Sequence, residues 1–142
     1  MSNTIVRPMS EADLPVLMTL IGSMNTDMSQ ELLRDRICVG MRNATTFLGI
    51  FSNEECAGVV GYWFADFVYC GRHLYVDSFV IAEKFRSVGF GKKLLDHVEH
   101  VARQAGCACV LLDAYLKNTR AHAFYQREGY EIKGYHFNKP IQ

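Results

Sequence analysis

The 142-residue chain has no excess of charge: 15 basic residues stand against 15 acidic ones, for a formal net charge of zero. That balance argues against a long-range field drawing the protein onto nucleic acid or an anionic membrane, although a local basic patch is compatible with it. No apolar run reaches the roughly 18 residues that a membrane span needs. Internal repeats, low-complexity tracts and linkers are missing too. What remains is a single domain, residues 1–142, large enough to bury roughly two-thirds of its unfolded surface without a metal or disulfide. A C-x-x-C pair is also lacking. The five cysteines, Cys38, Cys56, Cys70, Cys107 and Cys109, are odd in number and follow no secretion signal, which fits a reducing, cytoplasmic location. Cys107 and Cys109 alternate along a strand-like stretch and read as small buried hydrophobes rather than a metal pair. No histidine spacing resembles a metal site.

The hydrophobic pattern that is present has a definite order. "NTIVRP" suits a short strand. Ser10 with Asp13 resembles a helix start, followed by Leu14, Leu17, Met18 and Ile21 at helical spacing. A second helix covers "SQELLRDRICVGM", with Ser29 as its cap and Leu32, Leu33, Ile37 and Met41 inward. "TTFLGIF" and "CAGVVGYWFADFVY", separated by "SNEE", read as an antiparallel hairpin, and "LYVDSFVI" as a third strand. "GFGKKLLDHVEHVARQAG" is a helix with Leu94, Leu95, Val98, Val101, Ala102 and Ala105 on one stripe and Gly106 as its stop. "CACVLLDAY" is a buried strand, "NTRAHAFYQREG" a short helix, and "YEIKGYHFNK" a last strand. The order is β-α-α-β-β-β-α-β-α-β. It implies an α/β fold with a mixed, mainly antiparallel sheet, a parallel central strand pair and flanking helices.

Between the third strand and the long helix lies "FRSVGFGKKLL". A glycine-bearing turn that opens a helix makes an anion site, because the first helical N–H groups lack partners and the helix dipole is positive there. Gly89 and Gly91 let backbone approach an oxygen closely, with Arg86 and Lys92 flanking. The spacing is neither a Walker loop nor the dinucleotide fingerprint. On this stretch alone, a tight turn and a phosphate cradle are both open.

A second block follows downstream. Arg86, Gly89 and Gly91 form R-x-x-G-x-G, and Asn118, Ala121, Phe124, Tyr125, Gly129 and Tyr130 form N-x-x-A-x-x-F-Y-x-x-x-G-Y. Together with the element order over nearly the whole chain, this resembles the GCN5-related N-acetyltransferase superfamily. The resemblance implies that Arg86, Ser87, Val88, Gly89, Phe90, Gly91 and Lys92 surround the pyrophosphate of acetyl-coenzyme A. Many relatives have glycine where Ser87 stands, but its backbone N–H is kept. The resemblance further implies that Phe79, Val80 and Ile81 pair with the pantetheine arm, that Asn118 contacts that arm, and that Tyr125 protonates the leaving thiolate. A tyrosine hydroxyl is a neutral donor at physiological pH, which suits that acid role. The alternative is that Tyr125 is a core aromatic with its hydroxyl at the edge; the Phe124–Tyr125 pair in this context favours the acid role.

The base is expected at Asp77, which strict alternation puts on one face with Tyr75, Phe79 and Ile81. A carboxylate among aromatics is costly to bury without a purpose or a partner. The polyamine-acetylating branch is similar in carrying an acid in this column; a structural carboxylate is the alternative. Asp113 is the weaker candidate, and His122 is a candidate to touch the cofactor. His97 and His100 read as solvated surface, whereas His73 and His136 suggest no role. The resemblance places acceptor specificity in the first two helices, their joining loop and the last strand; Asp27 and Glu31, with the aromatics Tyr62, Trp63, Phe64, Tyr135 and Phe137, are candidates to line a cleft for an amine with apolar parts.

The expected function is therefore N-acetyl transfer from acetyl-CoA to a primary amine by direct attack in a ternary complex. The alternative is a catalytically inactive acetyl-CoA-binding sensor or interaction module. The expected partners are acetyl-CoA as co-substrate and a small-molecule or peptide amine, with no metal, nucleic acid or membrane. A homodimer through the C-terminal strand is the remaining expectation, since an edge strand invites pairing.

Overall fold

The structure, a computed structural model, describes residues 3–141. They form two compact units, one ending at Leu111 and the other beginning at Leu112. The first is built on a sheet in the order β1-β2-β3-β4-β5. Strands β1 (Thr4–Pro8), β2 (Thr46–Ser52), β3 (Glu55–Phe67) and β4 (Gly71–Ile81) are antiparallel to their neighbours. Strand β5 (Cys109–Leu112) is parallel to β4 and follows helix α3 (Phe90–Gln104). The expected mixed sheet is therefore present. The "SNEE" turn holds Asn53 and Glu54 at φ 49° and 71°, two consecutive left-handed residues whose twist matches that of the strands they join.

Helix α1 (Leu14–Gly22) starts where the sequence signals it, behind a single 3-10 turn over Glu11–Asp13. Ser10 and Asp13 form a reciprocal capping box, and Arg7 clamps both Asp13 oxygens at 3.0 and 3.1 Å. The Arg7 hydrogen bonds, joined by the Ser10 N–H, hold the Asp13 carboxyl below its usual range. Helix α2 (Gln30–Asn43) is capped by Ser29, whose hydroxyl accepts from the Leu32 N–H at 3.1 Å. Leu33 and Ile37 are buried as expected, whereas Leu32 turns outward.

The sheet of this unit is apolar on both faces. Leu17, Leu20, Ile21, Leu33 and Ile37 of the first two helices pack with Phe47, Phe51, Val59 and Val80. The side chains that alternate with these on the strands, Leu48, Ile50 and Val60 among them, point the other way. On that side α3, which also meets β3 and β4, buries Leu94, Leu95, Val98 and Ala102.

Strand β4 is not regular. Gly61 pairs with Ser78 while the next residue, Tyr62, pairs with Val76, so Asp77 is an extra residue, a β-bulge. Because Val60 pairs with Phe79 and Tyr62 with Val76, the alternation of β4 reverses across this point. Tyr75 and Phe79 therefore lie on opposite faces, which corrects the single face expected for Tyr75, Asp77, Phe79 and Ile81. Opposite the bulge, Gly61 leaves room for the Phe47 ring; a Cβ there would stand 2.7 Å from it.

In the second unit, α4 (Thr119–Arg127) forms as expected, with the Asn118 side chain accepting from the Ala121 N–H at 3.1 Å. The last strand does not form: residues 130–141 carry no regular secondary structure. The reason is visible in the sequence. Apolar residues fall on even positions at Tyr130 and Ile132, then on odd positions at Tyr135 and Phe137, with Gly134 at the break. No single apolar face results, and a strand interior glycine weakens pairing further. Ile132, Tyr135 and Phe137 are all exposed. A dimer built on a C-terminal strand loses that strand. Among the described residues, no helix is long and apolar enough to cross a membrane.

Gly61→Ala is expected to destabilise the protein by about 1–3 kcal/mol through overpacking against Phe47. Urea unfolding checks this, and the double change Gly61→Ala with Phe47→Leu is expected to recover part of the loss.

Candidate active site

In the first unit the end of β4 runs through a short 3-10 turn (Glu83–Phe85) into the loop before α3. The loop is held in left-handed backbone at two places, Ser87 with φ 66° and Gly89 with φ 95°. Gly89 is also the N-cap of α3, and no side chain caps that helix. The first-turn N–H groups of an α-helix have no acceptor inside the helix. With no side-chain cap, the turn from Gly89 onward presents backbone donors and the positive end of a 15-residue dipole. A Cβ on Gly89 would meet nothing within 4 Å, so its glycine is needed for its backbone angle and for access rather than for packing. This donor set fits a pyrophosphate, which is recognised through oxygen acceptors and negative charge.

Arg86 contributes in an unexpected way. Its Nε–H donates to the Ile81 carbonyl oxygen at 3.0 Å, tying the loop back to the end of β4. One bond thus joins the two expected cofactor-binding segments, Phe79–Ile81 and Arg86–Lys92. Phe90 packs edge to face on Phe85 at 5.3 Å, bracing the same turn. Val88 is exposed, and Lys92 pairs with Asp96 one turn along α3.

Asp77, as the bulged residue, is exposed and accepts a hydrogen bond from the Ser78 hydroxyl at 3.2 Å. The aromatics expected to line one cleft are divided by the strand. Tyr62 is buried and meets Phe64 edge to face at 5.8 Å, so Tyr62 belongs to the core. Trp63, on the other face, stacks flat on Tyr75 with centroids 4.9 Å apart and planes within 6°. Asp27 and Glu31 are exposed near the start of α2.

In the second unit Tyr125 lies on α4, half-buried, with Phe124 and Tyr130 rings 5.3 and 5.9 Å away. Burial pushes its hydroxyl up to about 12. It is a protonated donor at every physiological pH. Asn118 spends its side-chain oxygen on the helix cap, and His122 is fixed by a 2.8 Å bond between Nε2 and the Tyr115 carbonyl. Sequence reasoning missed one arrangement here. His136 Nδ1 stands 3.2 Å from Asp113 Oδ2. Nothing in their spacing announces this pair, because irregular chain separates them.

Comparison with known proteins gives a consistent picture. The sequence model of the Acetyltransferase (GNAT) family matches residues 17–130, a span that runs through both units. A Bacillus subtilis (strain 168) protein named uncharacterized N-acetyltransferase YhdJ is 32% identical over 116 residues, 81% of each chain. The aminoalkylphosphonate N-acetyltransferase of Salmonella typhimurium is 35% identical over 66 residues, 46% of this chain and 43% of that one. Among solved structures, the aminoglycoside N-acetyltransferase AAC(6')-Iy in complex with CoA has the same fold, with a TM-score of 0.86 at 14% identity, covering 100% of this chain and 97% of that one.

The raised Tyr125 value has a sign that stability can test. Below the unfolded tyrosine value, about 10, both states hold the proton and the burial contribution is intact. From there upward the unfolded chain loses its proton first, so stability falls as pH rises through about 12. Chemical unfolding between pH 9 and 12 is expected to show a loss on the order of 2 kcal/mol that Tyr125→Phe removes.

Proposed function

The chain belongs to the Acetyltransferase (GNAT) family and is an acyl-CoA-dependent N-acetyltransferase; from that premise we propose that it acetylates a primary amine of a small molecule by direct attack in a ternary complex. The observation that carries the reading is the loop from Arg86 to Gly91, with two left-handed residues opening an uncapped helix. Acetyl-CoA supplies an acetyl thioester, whose carbonyl carbon accepts the amine nitrogen while the carbon–sulfur bond breaks.

The residues divide that work. Ser87, Val88, Gly89, Phe90, Gly91 and Lys92 hold the pyrophosphate, mainly through backbone N–H groups, while Arg86 fixes the loop to β4. Phe79, Val80 and Ile81 offer strand backbone to the pantetheine arm, and an N–H there stabilises the developing oxyanion. Asn118 anchors the start of α4 and contacts the arm. Tyr125 passes its hydroxyl proton to the departing thiolate, a role open to it because the hydroxyl is protonated at working pH. The acceptor amine sheds its proton toward Asp77, whose exposed carboxylate on the bulge also attracts a cationic amine. The two units act as one acetyltransferase domain.

The small-molecule acceptor is supported by the relative named aminoalkylphosphonate N-acetyltransferase, whose named substrate carries an amine on an alkyl group. The protein's zero net charge favours neither a nucleic-acid-bound nor a membrane-bound acceptor. A cytoplasmic location, where acetyl-CoA and free thiols coexist, completes the proposal.

Incubation with acetyl-CoA and a panel of amines, followed by release of free thiol, tests the reaction. Turnover with at least one small amine is expected, and cofactor binding with no turnover on any amine rules the reading out. Tyr125→Phe is expected to lower kcat by about 10²- to 10⁴-fold with KM for acetyl-CoA nearly unchanged. Gly89→Ala is expected to act the other way, raising KM for acetyl-CoA about tenfold or more. Its fold cost is confined to the strained backbone angle, about 1 kcal/mol.

A further inference from the structure

At the opposite end of β4 from the loop, three of the five cysteines come close together. Cys70 ends the turn into β4, and Cys107 and Cys109 lie at the start of β5. The parallel strands are joined there by a 2.8 Å bond from the Ala108 N–H to the Arg72 carbonyl, which brings the two strand starts side by side. Burial pushes the Cys109 thiol up, and the neighbouring Cys70 and Cys107 thiols push it the same way. All three cysteines are half-buried, so a molecule the size of a peroxide reaches them.

A histidine completes the group. His73 is fully buried, with its Nδ1 2.9 Å from the Gly71 carbonyl and 3.6 Å from the Cys70 sulfur. A carbonyl oxygen accepts only, so Nδ1 carries the proton and presents that N–H to both atoms. His73 Nε2 is then an unprotonated nitrogen with no hydrogen-bond partner in the protein. The Nδ1–H is a donor for negative charge on the Cys70 sulfur. Among the described residues, no group of three His, Cys, Asp or Glu side chains is placed to hold a metal ion.

We propose that Cys70 and Cys109 are a redox-active dithiol that closes to an intramolecular disulfide on exposure to hydrogen peroxide. The Cys70 thiolate attacks one peroxide oxygen; the O–O bond breaks, hydroxide leaves and takes up a proton, and Cys70 becomes a sulfenic acid. The Cys109 sulfur then displaces hydroxide from that sulfenic acid, and the Cys109 thiol proton leaves with it as water. Two thiols and one peroxide give one disulfide and two waters. In a reducing compartment the resting form is the dithiol, so the bridge marks exposure to oxidant. It closes a loop of roughly 40 residues that contains α3, pinning the paired starts of β4 and β5.

The test uses the full chain, reduced and then treated with dilute hydrogen peroxide. Intact mass is expected to fall by two hydrogens, with two of the five thiols lost to alkylation and both recovered with dithiothreitol. Cys70→Ser and Cys109→Ser abolish the change; Cys107→Ser and Cys56→Ser keep it. The thermal midpoint of each reduced variant reports whether it folds. If one does not, fragmentation of the linked peptides from the unaltered protein identifies the paired cysteines. The oxidised protein is expected to melt about 5–10 °C higher than the reduced one. A Cys107–Cys109 link, a bridge that survives Cys70→Ser, or oxidation that ends in sulfinic acid or in intermolecular dimers overturns the proposal. An unchanged midpoint removes the claim that the bridge braces the sheet.

Discussion

One extra residue in β4 governs the sidedness of everything that follows it. Up to Val76 the even-numbered residues of that strand face one way; past Asp77 the odd-numbered ones do. A regular strand would have aimed Phe79 and Val80 at the opposite faces, and Val80 would have left the cluster it shares with Val59 and the first two helices. The bulge is tolerated because its partner at that level is Gly61, whose missing side chain lets the Phe47 ring fill the space. A bulge also frees backbone groups from the ladder. Those groups sit next to Phe79, Val80 and Ile81, which themselves stay paired with Val60, Val59 and Gly58.

The loop beyond is a consequence of how β4 ends. Ile81 gives its carbonyl to Arg86, which turns the chain so that Ser87 and Gly89 enter left-handed conformations and α3 starts uncapped. A non-glycine residue at φ 66° is strained by roughly 1 kcal/mol or more, and Ser87 is therefore the less expected of the two. Arg86 thus has a structural part beside the cofactor-binding one expected of it: its Nε–H is committed to the Ile81 carbonyl.

That division explains how much was legible beforehand. Backbone-built features leave spacing in the sequence, because glycines, caps and helix stripes must fall at fixed offsets. The loop, the Ser10–Asp13 and Ser29 caps, the α3 stripe and the mixed sheet were readable for that reason. The bulge was not, since Val-Asp-Ser-Phe alternates plausibly in either register and only the pairing with Gly61 and Tyr62 decides it. The stretch from Tyr130 onward misled through composition, although the parity change at Gly134 was there to be read. Pairs such as Asp113 with His136, or Cys70 with Cys109, join distant segments and leave no local period at all.

Strand β4 thus links three features, the cysteine end, the bulge and the glycine loop, and its length separates them. From Gly71 to Ile81 an extended strand spans roughly 30 Å, with the bulge between the two ends. An interaction at the cysteine end is therefore too far from the glycine loop to touch a ligand there directly, and screening removes any charge effect over several Debye lengths. Between the ends the strand is packed on both faces, with Leu74, Val76 and Val80 buried, so it does not bend locally to relay a displacement. The bridge proposed at one end would consequently change how firmly the β4–β5 pair is held, while the loop at the other end stays as the Arg86–Ile81 bond sets it.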